Sequence, residues 1–146
     1  MAIQDPEIYT AAIDDLLDAG DWDTDNHSAH LFTAYTFAAS HATKAGMSMT
    51  EHAATGGYSQ DGKALSGKAI NTVGAYVYLN SDAIEWTSAT ISANFLVVFK
   101  KPADRALDNA DIPIFYISLD GGGAVSSTSG SFKVSPHTNG WFSFSS

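Results

Sequence analysis

The segment from Thr90 to Phe99 restricts the possible folds of this chain more than any other. Its first half alternates between apolar and polar residues, and its end, Phe95 to Phe99, is entirely apolar. Alternation with a period of two is typical of a β-strand with one buried face, and a continuous apolar run is typical of a strand buried on both faces. The segment therefore predicts a central strand of a β fold.

Short strands separated by turn residues are predicted along much of the remaining chain. They cover residues 30–37, 63–71, 75–79, 83–86, 112–119, 131–135 and 141–145. The last two are expected to pair as a terminal hairpin, because Asn139-Gly140 between them is a strong turn signal. Pro113 favours an edge strand or the start of a strand. About eight short strands with frequent turns predict a mainly β fold, either a two-sheet β-sandwich or a jelly-roll-like barrel.

One α-helix is predicted near the N-terminus. Asp5 is suited to the N-cap, Pro6 to the first helical position, and Gly20 to the left-handed residue that ends a helix. Apolar residues such as Leu16 form one stripe between them. We expect this helix to run from about residue 6 to about residue 19. The loop over residues 38–57 is expected to contain a short helical turn near residues 49–53.

The length and composition fit one soluble domain. With 146 residues and no cysteine, the chain is expected to form a single β domain over residues 1–146, with a helical arm over 1–20 and a β-sandwich over 29–146. No run approaches the ~18 apolar residues of a membrane span. The N-terminal residues do not resemble a secretory signal, so we expect synthesis in a cytoplasm and no membrane partner.

The charge is acidic and unevenly distributed. The net charge is −9, and residues 1–43 contain eight acidic residues but neither lysine nor arginine. An acidic chain repels phosphate, so we expect no nucleic-acid partner. The acidic end is interpreted either as a solvated helix face or as a docking surface for a basic partner.

Two segments partly match nucleotide- and calcium-binding motifs. Residues 62–68 fit the front of a P-loop, but Ala69 follows where a Ser or Thr would bind magnesium, so we interpret them as a glycine-punctuated strand. Residues 21–25 resemble the start of an EF-hand, but Asn26 and Phe32 occupy the positions of the required Gly and Glu. A different calcium site at these carboxylates stays open.

The remaining chemistry-bearing residues indicate no enzyme class. His27 and His30 would lie on opposite sides of a strand, so a shared metal would require a loop. Neither a G-x-S-x-G nor an S-x-x-K motif occurs. We therefore expect no catalytic residues, no metal and no cofactor. Aromatic residues such as Tyr76, Trp86 and Trp141 are interpreted either as core and sheet-edge packing or as an interface, including a sugar-binding platform.

Several segments resemble a family of small virion structural proteins of tailed bacteriophages. Residues 56–68, GGYSQDGKALSGK, resemble its GGY-x-x-GG-x-AL-x-GK segment, and residues 82–93 its DAADV-x-W-x-x-ATI-x-A segment. Residues 114–119, 126–132 and 139–142 resemble its closing strands, and the N-terminal region with Tyr9, Leu16 and Gly20 is also similar. The resemblance covers most of the chain except residues 38–55 and 101–111.

This resemblance implies a structural role in a virion that is assembled in the host cytoplasm. We expect a capsid decoration or cement protein or a head-fibre subunit, which binds the major capsid protein or other virion proteins and forms a homo-oligomer. The alternative is a tail or tail-fibre component that binds a receptor or glycan. A small hydrolase on a β scaffold is the third hypothesis. Partner contacts are expected at Tyr9, Leu16, Met47, Met49, Tyr58, Trp86 and Trp141.

Overall fold

The structure, a computed structural model, describes residues 7–10, 22–102 and 105–145. This part of the chain is mainly β, with several antiparallel sheets. Its strands are β1 (Glu7–Ile8), β2 (His27–Tyr35), β3 (Met49–Glu51), β4 (Lys63–Ala64), β5 (Ala69–Val73), β6 (Tyr76–Asn80), β7 (Ile84–Ala93), β8 (Phe95–Lys100), β9 (Ile112–Ser118), β10 (Val125–Val134) and β11 (Phe142–Ser145). Single 3-10 turns lie at Lys44–Gly46 and Asp120–Gly122.

The largest sheet has six strands and confirms the prediction of a buried central strand. Its order is β1-β9-β8-β2-β3, and β4 also pairs with β2. Strand β8 lies between β9 and β2, and its residues 96–99 are all fully buried. The fully apolar sequence therefore marks a strand that is covered on both faces. Pro113 is the second residue of β9, which fits the predicted strand start.

The predicted strands over 83–86 and 90–99 are divided differently in the structure. Strand β7 continues through residues 87–89 to Ala93, and β8 begins after Asn94. Ser88 has a left-handed φ of 50°, and the pairing of β7 with β10 shifts register beside it. Because a bulge absorbs the irregular residues, the polar stretch bends the strand without ending it.

A separate three-stranded sheet has the order β11-β6-β5, so the predicted terminal hairpin is wrong. Strand β10 pairs with β7, and β11 pairs with β6. The turn at Asn139-Gly140 does form, since the Gly140 N–H donates to the His137 carbonyl at 3.0 Å. It joins strands of different sheets because Phe132 of β10 packs against Trp86 of β7, with ring centroids 6.0 Å apart.

The prediction of an N-terminal α-helix is also wrong at its start. Glu7 and Ile8 form a strand that pairs with Tyr116 and Phe115 of β9. Tyr9 follows with its side chain fully buried, so these residues extend the large sheet instead of starting a helix. Apart from Thr10, the last residue before the gap, which has helical backbone, the regular elements of the described ranges are strands and 3-10 turns. Residues 11–21, where the rest of the helix was predicted, lie outside the described ranges.

The predictions for residues 49–53 and 63–71 are also wrong, because short strands from both segments pair with β2. The helical turn expected near residues 49–53 is instead strand β3, whose Thr50 lies opposite Ala34 of β2. The strand expected over 63–71 is divided into β4 and β5. Between them the Leu65 N–H still donates to the His27 carbonyl of β2 at 2.9 Å. After this contact the chain leaves β2, and β5 pairs with β6 instead.

Candidate functional site

The three-stranded sheet of β5, β6 and β11 contains no charged residue and is called the uncharged sheet below. Strands β5 and β6 form a hairpin around Gly74, whose φ of +61° suits glycine in a tight turn. Residues 69–80 are free of Asp, Glu, Lys and Arg, although the whole chain has a net charge of −9. This hairpin therefore differs electrostatically from the rest of the surface.

Aromatic side chains fix one end of the uncharged sheet to the six-stranded sheet. Phe115 of β9 contacts Trp141 and Phe142, with ring centroids 5.5 Å and 5.2 Å apart. The Trp141 Nε1–H donates to Ser81 Oγ at 2.8 Å, and the Trp22 Nε1–H donates to the Asn80 carbonyl at 2.8 Å. Each indole thus pairs its polar atom while its ring packs in the core. The attached end of the sheet is held from several directions.

Away from these contacts, the uncharged sheet leaves large apolar side chains in solvent. Among the described residues, those that stand out as exposed large hydrophobic side chains are Ile70, Val73, Tyr76, Val77 and Phe144. Ile70 is 50% exposed and Phe144 37%. All five lie on the uncharged sheet. Single apolar residues are ordinary at a protein surface, whereas apolar residues grouped on one face are candidates for contact with a partner.

The strand registers divide these side chains between two faces. Val77 lies opposite Thr72 on one side and Phe144 on the other, and Ile70 shares their face two residues along β5. We call Ile70, Thr72, Val77 and Phe144 the docking face. Tyr76 and Tyr78, which are alternate residues of one strand, lie on the other face with their rings 6.2 Å apart.

A groove runs beside Tyr78. Its volume is about 520 Å³, and it is lined by Tyr78, the segment from His137 to Phe142, and Ser143. Gly140 lies against β6 so closely that a Cβ at this position would be 2.5 Å from the Leu79 carbonyl oxygen. Glycine at this position therefore allows the lining segment to approach the sheet. The lining offers hydroxyl, amide and imidazole groups but no carboxylate.

Two buried histidines of β2 lie outside the uncharged sheet. His27 Nδ1 is 3.0 Å from the Asp25 carbonyl oxygen and 3.2 Å from Lys68 Nζ. Burial, followed by the nearby Lys68 ammonium, lowers the pKa of His27 to about 4. The imidazole is therefore neutral at pH 7, and its ring packs on Trp22 with centroids 4.7 Å apart. Its Nε2 has no hydrogen-bond partner among the described residues.

His30, Glu51 and Tyr58 form the described group that most resembles a catalytic arrangement. Glu51 Oε1 accepts from the Tyr58 hydroxyl at 2.7 Å and lies 2.8 Å from His30 Nδ1. Burial is the largest cause of the lowered pKa of His30. Gly62 covers the other side of the ring, since a Cβ there would be 2.4 Å from His30 Nε2. In this conformation His30 Nε2 is therefore closed off from solvent.

The residues predicted to contact a partner occupy other places. Tyr9, Met47, Tyr58, Trp86 and Trp141 are buried in the core, and Met49 is half-buried against it. Leu16 lies outside the described residues. The hydroxyl groups of Tyr9 and Tyr58 also form hydrogen bonds inside the protein, with the Tyr35 hydroxyl at 2.7 Å and with Glu51, respectively. The structure does not bring this set together on one surface, and its role in an interface stays a prediction.

The sequence did not indicate Ile70, Val73, Val77 or Phe144 as partner contacts. One signal could have found the first three, because apolar residues occupy both faces of the hairpin over residues 69–80 without any charge. Whether such a hairpin lies inside the core depends on its tertiary packing. The structure shows that only Leu79 of β6 is fully in the core.

Comparisons with protein-family models, with curated proteins and with solved structures found no match to this chain. Within the described ranges, no group of three or more His, Cys, Asp or Glu side chains is arranged to hold a metal ion. No helix in the same ranges is long and apolar enough to cross a membrane.

Proposed function

We propose that this protein is a structural subunit of a phage virion, a capsid decoration or cement protein or a head-fibre subunit that binds the major capsid protein. The observation that carries the proposal is the concentration of exposed apolar side chains on the uncharged sheet. The resemblance of residues 56–68 and 82–93 to small phage virion proteins supplies the virion context. The docking face is the surface that we assign to the shell.

The size of the docking face favours binding to a repeating lattice. Three exposed apolar side chains, Ile70, Val77 and Phe144, provide on the order of 250 Å², or roughly 6 kcal/mol of gross hydrophobic free energy. Association costs about 4–15 kcal/mol in lost freedom. A single contact of this kind is therefore weak. Repetition on a shell makes weak contacts sufficient, because linked copies bind with avidity.

The titratable groups support a role without catalysis. His27 and His30 are buried and their pKa values are lowered, so they act as packed neutral rings near pH 7. The surface groove near Tyr78 lacks a carboxylate that could act as a general acid or base. The proposal includes no enzymatic activity, and it keeps the expectation from the sequence of no cofactor and no nucleic-acid or membrane partner.

The proposal also specifies the finer architecture as a two-sheet sandwich or jelly-roll-like barrel. The contacts of Phe115 with Trp141 and Phe142 join the six-stranded sheet to the uncharged sheet. Side chains that interdigitate between two sheets are typical of a sandwich core. A sandwich of this kind is a rigid scaffold for a binding face at one edge.

The second candidate is a tail or tail-fibre component that binds a glycan. The groove beside Tyr78 and the 47% exposed Tyr76 favour it, since an aromatic ring with amide and hydroxyl groups nearby suits a neutral sugar. Trp86 and Trp141 do not contribute a sugar platform in this conformation because both are buried.

Counting copies in purified particles separates the two candidates. In quantitative mass spectrometry of the phage that encodes the chain, we expect an abundance comparable to that of the major capsid protein, because a decoration subunit follows the capsid lattice. A handful of copies per particle would favour the tail-fibre candidate. Complete absence from particles would contradict both.

A further inference from the structure

The outer strand of the uncharged sheet, β5, has an open edge. Within the part of the chain that the structure describes, β5 pairs only with β6, so the backbone groups on its other side face no strand. Its pairing with β6 is regular from Ala69 to Val73, without a register shift. A row of free N–H and C=O groups on a regular strand is a template for another strand.

Most other strands at sheet edges have features that discourage such pairing, although β11, the other edge of the uncharged sheet, is also free of charge and of register shifts over its four residues. Strands β1 and β4 are two residues long and contain Glu7 and Lys63, and β3 contains Glu51 beside a register shift. The β7–β10 pair contains two register shifts together with Glu85 and Lys133. Short length, charge and bulges are the devices by which proteins protect edges. Strand β5 has none of these devices over its five residues.

The charge of the chain indicates what can occupy this edge. Two copies that each carry a net charge of −9 repel one another over most of their surfaces. The repulsion is smallest where neither copy presents a charged side chain, and residues 69–80 meet this condition. We propose that two copies of this chain pair antiparallel through their β5 edges and join their uncharged sheets into one continuous sheet.

Symmetry restricts the register of this pairing. Two identical antiparallel strands in one sheet are related by a two-fold axis perpendicular to the sheet, so the same face of each copy lies on the same side. Residues directly opposite each other must point to the same face, so the residue numbers of each pair differ by an even number. One residue of β5 therefore lies directly opposite the same residue of the second copy, and the axis passes between these two. The middle of β5, from Ile70 to Thr72, is where the axis falls.

The dimer would enlarge the surface that the proposed function uses. Both docking faces lie on the same side of the joined sheet, so the apolar area offered to a shell doubles. The inference goes beyond the proposed function, because the pairing requires only a second copy and no particle. Its test uses the isolated protein, and failure of the dimer would leave binding to a shell as a separate question.

The first test compares two equivalent substitutions by sedimentation velocity over roughly 1–200 µM, a range that covers weak and moderate dimers. Thr72→Lys places like charges near each other across the β5 edges, and Thr50→Lys adds the same charge to the exposed Thr50 of β3. We expect a wild-type dimer whose Kd rises at least about ten-fold in Thr72→Lys and changes little in Thr50→Lys. A monomeric wild type, or equal weakening by both substitutions, would overturn the inference.

Single cysteines provide the second test because the natural chain has none. Residues directly opposite in an antiparallel pair have Cα atoms roughly 4.5–5.5 Å apart, which suits a disulfide. With oxidised glutathione as the oxidant, we expect Ile70→Cys, Asn71→Cys or Thr72→Cys to form a cross-linked dimer, and Thr50→Cys to stay monomeric on a non-reducing gel. Failure of all three β5 cysteines to cross-link would contradict β5 pairing.

Discussion

Replacing Phe115 by alanine is expected to lower the free energy of unfolding by about 3–5 kcal/mol, the usual cost of removing a buried aromatic ring. Phe115 is fully buried and contacts Trp22, Trp141 and Phe142. These contacts connect the six-stranded sheet to the uncharged sheet and to the segment before β2. The cavity would therefore loosen the attachment of the proposed docking surface as well as the core. Urea unfolding followed by tryptophan fluorescence measures the change.

Phe144→Ala is the matched control for this substitution. Phe144 lies on the uncharged sheet but is 37% exposed, so its replacement should cost less than about 1 kcal/mol. Equal losses in the two variants would show that Phe115 has no special role in joining the sheets. A fall in the denaturant slope with Phe115→Ala would indicate that the two sheets no longer unfold together.

Acidification from pH 7 to pH 4 is expected to remove about 3 kcal/mol of stability through His27 alone. The pKa of His27 is lowered to about 4 by burial and by Lys68, whereas in the unfolded chain an imidazole titrates near its ordinary value of about 6.5. Between these two values the unfolded state binds a proton that the folded state does not bind. Stability therefore rises with pH across this window and is fully present above about pH 6.5.

His27→Gln isolates this contribution, because glutamine does not titrate. The variant should lose about 3 kcal/mol less than the wild type when urea unfolding at pH 7 is compared with urea unfolding at pH 4. Above pH 7 the difference between the two proteins should be constant. An identical pH dependence in both proteins would mean that His27 is protonated as readily in the folded state as in the unfolded state. His30, whose pKa is also lowered by burial, adds a contribution of the same sign.

The parts of the fold that the sequence predicted well are those in which a local pattern decides the outcome. The apolar run in Phe95–Phe99 identified a strand buried on both faces, alternation identified most of β2, and apolar segments bounded by turn residues identified β6 and β9. Asn139-Gly140 formed a turn because its backbone preference is local. Hydrophobic period and turn chemistry therefore predicted these elements without any tertiary contact.

Predictions failed where a distant partner decides the structure. Glu7 and Ile8 begin in a helix-like sequence, but pairing with β9 takes them into a sheet. Strand β11 follows a hairpin turn, yet it pairs with β6, because Trp141 and Phe142 pack on Phe115 of another sheet. Neither the pairing of Glu7 and Ile8 with β9 nor that of β11 with β6 can be predicted from residues that are close in sequence. Tertiary pairing outweighs local propensity at such positions.

The candidate site shows the same division more strongly. Trp86 and Trp141 were expected at an interface because such residues are common there, but both fill the core. The exposed residues Ile70 and Val77 are of types usually found inside a protein. Residue type alone would place the two tryptophans at the surface contact and Ile70 and Val77 in the core, whereas the structure shows the reverse. The position of a hairpin relative to the core decides which apolar residues a partner could meet.

The measurement that tests the central claim most directly is co-sedimentation of purified protein with particles that lack it. Val77→Lys and Val77→Asp introduce opposite charges at the centre of the docking face, and Thr50→Lys and Thr50→Asp introduce the same charges on β3. A contact that excludes water disfavours a charge of either sign. We predict that both Val77 variants lose at least about ten-fold in affinity and that both Thr50 variants bind as the wild type does. Binding of both Val77 variants at the wild-type level would contradict the claim that the docking face holds this protein on a virion.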